Sequence, residues 1–161
     1  MILDFLVPFL SEYGLAATFF GSFLSTFIFI PGFTELSAIL LLSLKFDPFL
    51  IFAFLSLGSI LGGLISYYFG LFGSNIVFKD ERGIENMKKW IEKWGNLSVF
   101  VASALPVPFP FALFAIVAGF LKMDTRSFYT MMIIGKFLRI GLSIAVLVWG
   151  IDILKVYHIL L

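Results

Sequence analysis

Six long stretches of this chain carry almost no charge, and the polar residues gather where the stretches end. Leu15 to Ile30 is 16 residues long and stops at Pro31-Gly32. As a helix it reaches only about 24 Å, short of a hydrocarbon core roughly 30 Å thick. Phe33 to Leu44, which carries Glu35, is shorter still. Pro31 lacks a backbone donor and Gly32 tolerates a turn, so the pair predicts a reversal. Residues 15–44 therefore read as a helical hairpin that enters a membrane and returns to its own side. One long helix kinked at Pro31 is the alternative. Non-helical backbone at membrane depth must be covered by protein or water, so the tip is expected to be buried. Lys45 and Asp47-Pro48 return the chain to water. Phe49 to Phe72 then supplies 24 uncharged residues, enough for one full span.

The pattern changes at Lys79 to Trp94, where the charge is densest. Ile84, Met87, Ile91 and Trp94 share one helical face, with Trp90 beside it, and Glu85 pairs with Lys89 on the other side. Residues 80–94 thus predict an amphipathic helix lying on the membrane surface. A solvated linker helix fits the tryptophans less well. Beyond Trp94-Gly95 the first layout returns. Leu97 to Val107 has 11 residues and cannot span. Pro106, Pro108 and Pro110 break it, and Phe111 to Leu121 forms another short arm, so 97–121 reads as a second hairpin. Lys122, Asp124 and Arg126 mark its exit. Phe128 to Ile151 is a second full-length span, although it contains Lys136 and Arg139, and residues 152–161 form a brief tail.

The return is a duplication. Shifting Pro31–Gly70 by 77 residues onto Pro108–Leu147 gives ten identities in 40 ungapped positions. Pro31 meets Pro108, Lys45 meets Lys122, Asp47 meets Asp124, Gly58 meets Gly135 and Ser66 meets Ser143. Self-similarity at a fixed offset is the signature of an internal repeat. Tyr13-Gly14 and Trp94-Gly95 extend it upstream. Each unit holds one hairpin, which returns, and one span, which crosses. An odd number of crossings inverts the second copy. The expected fold is therefore all-α and integral to the membrane: one domain, 1–161, with repeat one at 12–73 and repeat two at 95–151. Inverted repeats of this kind hold their sites near the midplane, between broken helices. Gly58, Gly62, Ser66 and Gly70 recur every four residues and make a small-residue stripe for close helix packing, within the protomer or in a homodimer.

Composition agrees. The chain is 61% hydrophobic, against about 45–50% for an ordinary soluble domain. Cysteine is absent and histidine is limited to His158, which removes disulfides, thiol chemistry and any metal constellation from the expectations. Net charge is +1 with no basic stripe beside stacking aromatics, so nucleic acid is not an expected partner. The N-terminus lacks a basic n-region and does not read as a removable signal peptide. No HExxH motif or nucleophile elbow occurs, and neither enzymatic activity nor a cofactor is expected. Seven Lys or Arg flank residues 79–93 and 122–126, against two on the opposite side. By the positive-inside rule, loops 79–94 and 122–126 are expected to be cytoplasmic, in a cell membrane.

Three ionisable residues fall inside the apolar stretches: Glu35, Lys136 and Arg139. A charge in a membrane helix costs a few kcal/mol and normally faces a cavity and a partner. Lys136 and Arg139 are three apart and share a face. Two cations can hold a phosphate, and Arg can do so bidentately. A desolvated carboxylate such as Glu35 can carry a proton. The plainer readings are a structural pair of Glu35 with Arg139 or Lys136, and a Glu35 that reaches up to water. Asp47 and Asp124 read most simply as helix caps.

Pro31-Gly32…Glu35, Asp47, the run from Gly58 to Gly73, the proline-rich hairpin ending in Ala118-Gly119, and Gly135-Lys136-x-x-Arg139 together resemble the DedA family. That family is also described as SNARE-associated or VTT-domain membrane proteins, and this chain is most similar to its YqaA-like branch. The resemblance implies two facing re-entrant hairpins and lipid transport, as a flippase or scramblase for phospholipid or polyprenyl-phosphate, linked to proton-motive force. It also implies that Glu35 and Asp47 are the important acidic positions. Many members carry an arginine pair around the second hairpin's proline. The neighbourhood of Pro106 here has none, which leaves Lys136 and Arg139 as the candidate phosphate ligands. The reading is thus a transporter of an anionic lipid, with Glu35 and Asp47 coupling protons and Pro31, Gly32, Pro106, Pro108 and Pro110 forming the gate. A non-transporting membrane assembly factor and a small-ion or proton pathway are the alternatives.

Overall fold

The computed structural model describes the backbone of residues 2–28, 32–73, 81–105 and 110–160, and side chains over 13–27, 32–73, 85–105 and 110–150. Within them the regular structure is helical throughout. The helices are α1 (Ile2–Ile28), α2 (Phe33–Ser43), α3 (Pro48–Phe72), α4 (Glu81–Trp94), α5 (Asn96–Ala104), α6 (Phe111–Phe120) and α7 (Thr125–Leu160). The breaks expected at Pro31, Pro106 and Pro108 lie outside the described residues. Gly32 takes φ 78 just before α2, and Pro110 precedes α6 with φ −73.

The two halves start and stop their helices by the same devices. α1 breaks at Gly14 (φ 49, ψ −118), and Gly95 (φ 50, ψ −126) opens α5 in nearly the same conformation. A side chain would be strained there, which explains why an aromatic-glycine pair recurs at both points. α2 and α6 end on Lys45 and Lys122, each at positive φ (62 and 52). Phe46 N–H then donates to the Leu41 carbonyl at 3.0 Å, and Met123 N–H to that of Ala118 at 3.1 Å. These are Schellman closures with lysine in the left-handed position. One residue further on, Asp47 accepts from Phe49 and Leu50 N–H and caps α3. Asp124 accepts from Ser127 N–H at 2.9 Å and caps α7. That N–H holds the Asp124 carboxyl below its ordinary range. The cap's contribution is complete above the usual carboxylate pKa and is lost as pH falls through the depressed one.

Two expectations need correction. The tail beyond residue 151 is no separate segment, because α7 runs on to Leu160. No proline follows Gly150, and leaving the apolar stretch does not by itself end a helix. Helix α4 also turns a slightly different face inward. Met87, Trp90 and Ile91 pack on α5 and α6, with the Trp90 ring edge-on to Phe114 at 5.9 Å. Trp94 is 49% exposed.

α3 is the centre of the assembly. Gly58 and Gly62 lie beneath the carbonyls of Phe19 and Phe23, so α1 crosses α3 at backbone distance. Gly135 on α7 meets the Phe100 carbonyl and Ser103 of α5 in the same manner. On another side of α3, Gly70 abuts the Ile116 carbonyl and Gly119 abuts that of Tyr67. The small-residue stripe of Gly58, Gly62, Ser66 and Gly70 is thus buried within the protomer, and a second copy would need another surface. The Phe46 ring comes back against Gly14, so α2 ends beside the start of the long arm of α1. α3 and the Thr125–Gly150 part of α7 are long and apolar enough to cross a membrane. Their outward side chains are large and apolar, with Phe72 77%, Val146 70% and Trp149 75% exposed. Acyl chains, not water, suit such a surface.

A methyl at Gly70 or Gly119 would overlap a backbone carbonyl of the neighbouring helix, so Gly70→Val and Gly119→Val are each expected to destabilise by about 1–3 kcal/mol. Gly141→Ala, whose added carbon would sit 3.6 Å from the Phe52 ring, is expected to leave the melting temperature in detergent unchanged. Equal melting temperatures for all three variants would contradict this packing.

Candidate functional site

The charges of the apolar segments collect where α2, α3, α5, α6 and α7 approach one another. Glu35 sits in the first turn of α2, just past the left-handed Gly32. Arg139 reaches across from α7 and donates through Nη2 to Glu35 Oε1 at 2.9 Å. The contact uses one carboxylate oxygen. The side chains are 23% and 34% exposed for Arg139 and Glu35 respectively, so the pair lies between a buried and a surface ion pair. Arg139 Nε is buried and has no partner among the described residues. Beside the pair lies a cleft of about 390 Å³, walled by Glu35, Ala104 and the α7 face from Arg139 to Leu147.

Lys136 does something different. It is only 5% exposed, and its Nζ donates to Ser59 Oγ on α3 at 2.6 Å. Ser59 Oγ in turn lies 3.0 Å from Thr26 Oγ1 on α1. The ammonium stands 4.5 Å from the centroid of the Phe111 ring, a cation–π distance. No carboxylate faces it among the described residues. The two cations expected to act together therefore point apart: residues three apart on a helix differ by about 60° around its axis. That angle sends Arg139 toward α2 and Lys136 toward α3 and α6. Glu35 and Arg139 are brought together, while Lys136 heads a separate hydroxyl chain.

Asp47 lies apart from this site. It is exposed, and the length of α2 separates it from Glu35. Its carboxylate is taken up by the N-terminal N–H groups of α3. Ser59 and Thr26 were not legible as site residues in the sequence. A signal for Ser59 was present, because it stands at the position equivalent to Lys136 under the 77-residue shift.

The model of the VTT domain matches residues 30–148, which contain every charge just described. The chain belongs to the VTT-domain family. Its VTT domain runs from the end of the first arm through most of α7, and with the two apolar helices this makes it a membrane protein. An uncharacterized protein of Methanocaldococcus jannaschii is 29% identical over 147 residues, 88% of each chain. An uncharacterized protein of Haemophilus influenzae is 31% identical over 106 residues, 62% of this chain and 54% of the relative. No solved structure matches the chain.

A buried ammonium held by one hydroxyl and one ring contributes little to folding, and apolar replacement of buried charge is often neutral or stabilising. Lys136→Met is therefore expected to keep or raise the melting temperature of this VTT domain. A fall of about 3 °C or more, roughly 1 kcal/mol for a chain of this size, would mean that Lys136 is a structural pin.

Proposed function

We propose that the protein moves an anionic, phosphate-bearing lipid between membrane leaflets, as a flippase or scramblase, and that Arg139 is its headgroup ligand. The observation that carries this reading is the Glu35–Arg139 pair at the head of a cleft whose other walls, Ser143 apart, are apolar. A soluble anion has no use for such walls, and a lipid needs both ends. Glu35 is then the resident counter-anion. An arriving phosphate replaces its single hydrogen bond and also engages the idle Nε. Protonating Glu35 weakens its hold on Arg139, which couples headgroup binding to protons. Lys136, one turn away and facing inward, offers the next cationic stop for the same group. Asp47 serves as the α3 cap and stands outside this cycle.

The architecture proposed for this work is an inverted repeat, with α1–α2 and α5–α6 as re-entrant hairpins and α3 and α7 as the spans. Ser59 and Lys136 support it. They are equivalent positions of the two copies, and they touch. A residue can meet its own counterpart only beside the axis that relates the copies. That axis therefore passes between α3 and α7, where inverted-repeat transporters keep their sites. The charge bias then sets loops 79–94 and 122–126 on the cytoplasmic side of the cell membrane.

The test is leaflet exchange in proteoliposomes, using labelled phosphatidylglycerol and, separately, a polyprenyl phosphate. Wild type is expected to exceed protein-free vesicles for at least one of them, and Arg139→Ala to fall to the protein-free rate while remaining folded. Exchange at the protein-free rate with wild type, or at the wild-type rate with Arg139→Ala, would overturn the proposal. Glu35→Gln, which keeps a hydrogen-bonding oxygen and cannot titrate, is expected to retain exchange and lose its response to an imposed pH gradient. A retained response would remove Glu35 from the coupling role.

A further inference from the structure

We infer that Phe111 is the resting-state partner of Lys136, a latch by which α6 holds this cation idle until an anionic headgroup takes it. The inference rests on the reading of the α7 cations as headgroup ligands and adds what keeps the second of them out of use. Both short arms grip α7 by their first turn. Glu35, the third residue of α2, holds Arg139, and Phe111, the first residue of α6, holds Lys136. The two grips fall at nearly the same point of the repeat. Under the 77-residue shift the counterpart of Phe111 is Thr34, which stands next to Glu35. One grip is a carboxylate and the other is a ring face. A ring attracts an ammonium through its quadrupole but does not neutralise it. Lys136 therefore keeps a whole charge to offer to an anion, whereas the charge of Arg139 is already shared with Glu35.

The ring is held where the ammonium needs it. Phe111 and Lys136 are 6% and 5% exposed, so neither is turned to lipid or water. Both border Gly63 of α3, where an added carbon would lie 3.1 Å from the Phe111 ring and 3.5 Å from Lys136 Cε. The missing side chain leaves the notch in which ring and ammonium meet. In the other copy the counterpart of Gly63 is Ile140, whose side chain is buried in the apolar cluster of α2, α3 and α7. Next to Phe111 stands Phe114, with ring centroids 6.3 Å apart, and its ring in turn meets Trp90 of α4. Sealed in this way, Lys136 touches no headgroup. It reaches one only by leaving the ring and Ser59, and a phosphate offsets that loss, because a charge-assisted hydrogen bond is stronger than a contact with a ring. Lys136 and Arg139 are three apart on one helix, so a single phosphate can then engage both. The same step releases the first turn of α6 from α7, which couples the arrival of an anion to the freeing of a short arm.

The experiment uses the full chain with Phe111 replaced by phenylalanines that carry increasing numbers of ring fluorines. Fluorine draws charge from the ring face and leaves the shape of the ring nearly unchanged, so packing is retained while the quadrupole fades. The melting temperature in detergent is expected to fall stepwise along the series, and to stay level when the series is repeated in Lys136→Met. In proteoliposomes, exchange of labelled phosphatidylglycerol or polyprenyl phosphate is expected to rise along the series, by about tenfold for the fully fluorinated ring, because an attraction that holds the resting state is being removed. A level thermal series with Lys136 present, or equal falls with and without Lys136, would reduce Phe111 to packing and overturn the inference. Wild-type exchange that the fluorines leave constant or slow would also overturn it, and would leave the transport reading standing. A thermal series that depends on Lys136, in a protein that exchanges neither lipid, would do the reverse: Phe111 would remain the partner of Lys136, and the transport reading would fall.

Discussion

The ion pair between Glu35 and Arg139 is the constraint on which the rest of this structure depends. A lone charge in a membrane helix costs a few kcal/mol, and the pair adds a polar tie to the apolar packing of Ala38 and Leu41 of α2 with Ile140 and Ile144 of α7. The pair ties the first turn of α2 to α7. It is also incomplete: one carboxylate oxygen, one guanidinium nitrogen, and a buried Nε that donates to nothing among the described residues. A bond strong enough to position a helix and open enough to be exchanged for another anion suits a site that must both exist and turn over.

Around that pair, the same helical unit is used twice with different fillings. Glycine–carbonyl contacts join each first arm to its own span, Gly58 to Phe19 and Gly135 to Phe100. Between the units the symmetry fails. Gly70 and Gly119 close one interface at backbone distance, and its counterpart meets through side chains, with Leu147 and Leu42 packed on one apolar cluster. Gly62 and Ser59 in one span become Arg139 and Lys136 in the other. The cleft beside α7 holds Glu35 and Arg139, and a depression on α3 is lined by no charged residue.

Much of the fold could be read from the residues. Uncharged length marked α3 and α7, Gly32 and Pro110 marked where α2 and α6 begin, and the recurrence of Tyr13-Gly14 at Trp94-Gly95 marked a backbone that only glycine adopts easily. The pairing of Glu35 with Arg139 was among the readings the sequence left open, because spacing alone cannot choose between Lys136 and Arg139 as its partner. The choice is made by the angle between adjacent faces of α7 and by which helix stands opposite each. That depends on close contacts such as Gly70 with Ile116, which are tertiary. The continuation of α7 past Gly150 was missed because polarity was taken as an end signal where no helix breaker exists. Asp47 drew weight from resemblance, although its place before Pro48 and the start of α3 already described a cap. Ser59 is the instructive omission: a repeat offset was in hand, and it pointed straight from Lys136 to its partner.

The most direct measurement on the central pair is a charge-swap cycle in reconstituted protein, comparing melting temperatures of Glu35→Arg, Arg139→Glu and the double exchange. If the two side chains meet as described, each single variant sets like charges against each other and loses stability, and the double exchange recovers most of that loss, a coupling of about 1–3 kcal/mol. A double exchange as unstable as the sum of its parts would mean that Glu35 and Arg139 do not face each other, and that the charged head of the cleft does not exist.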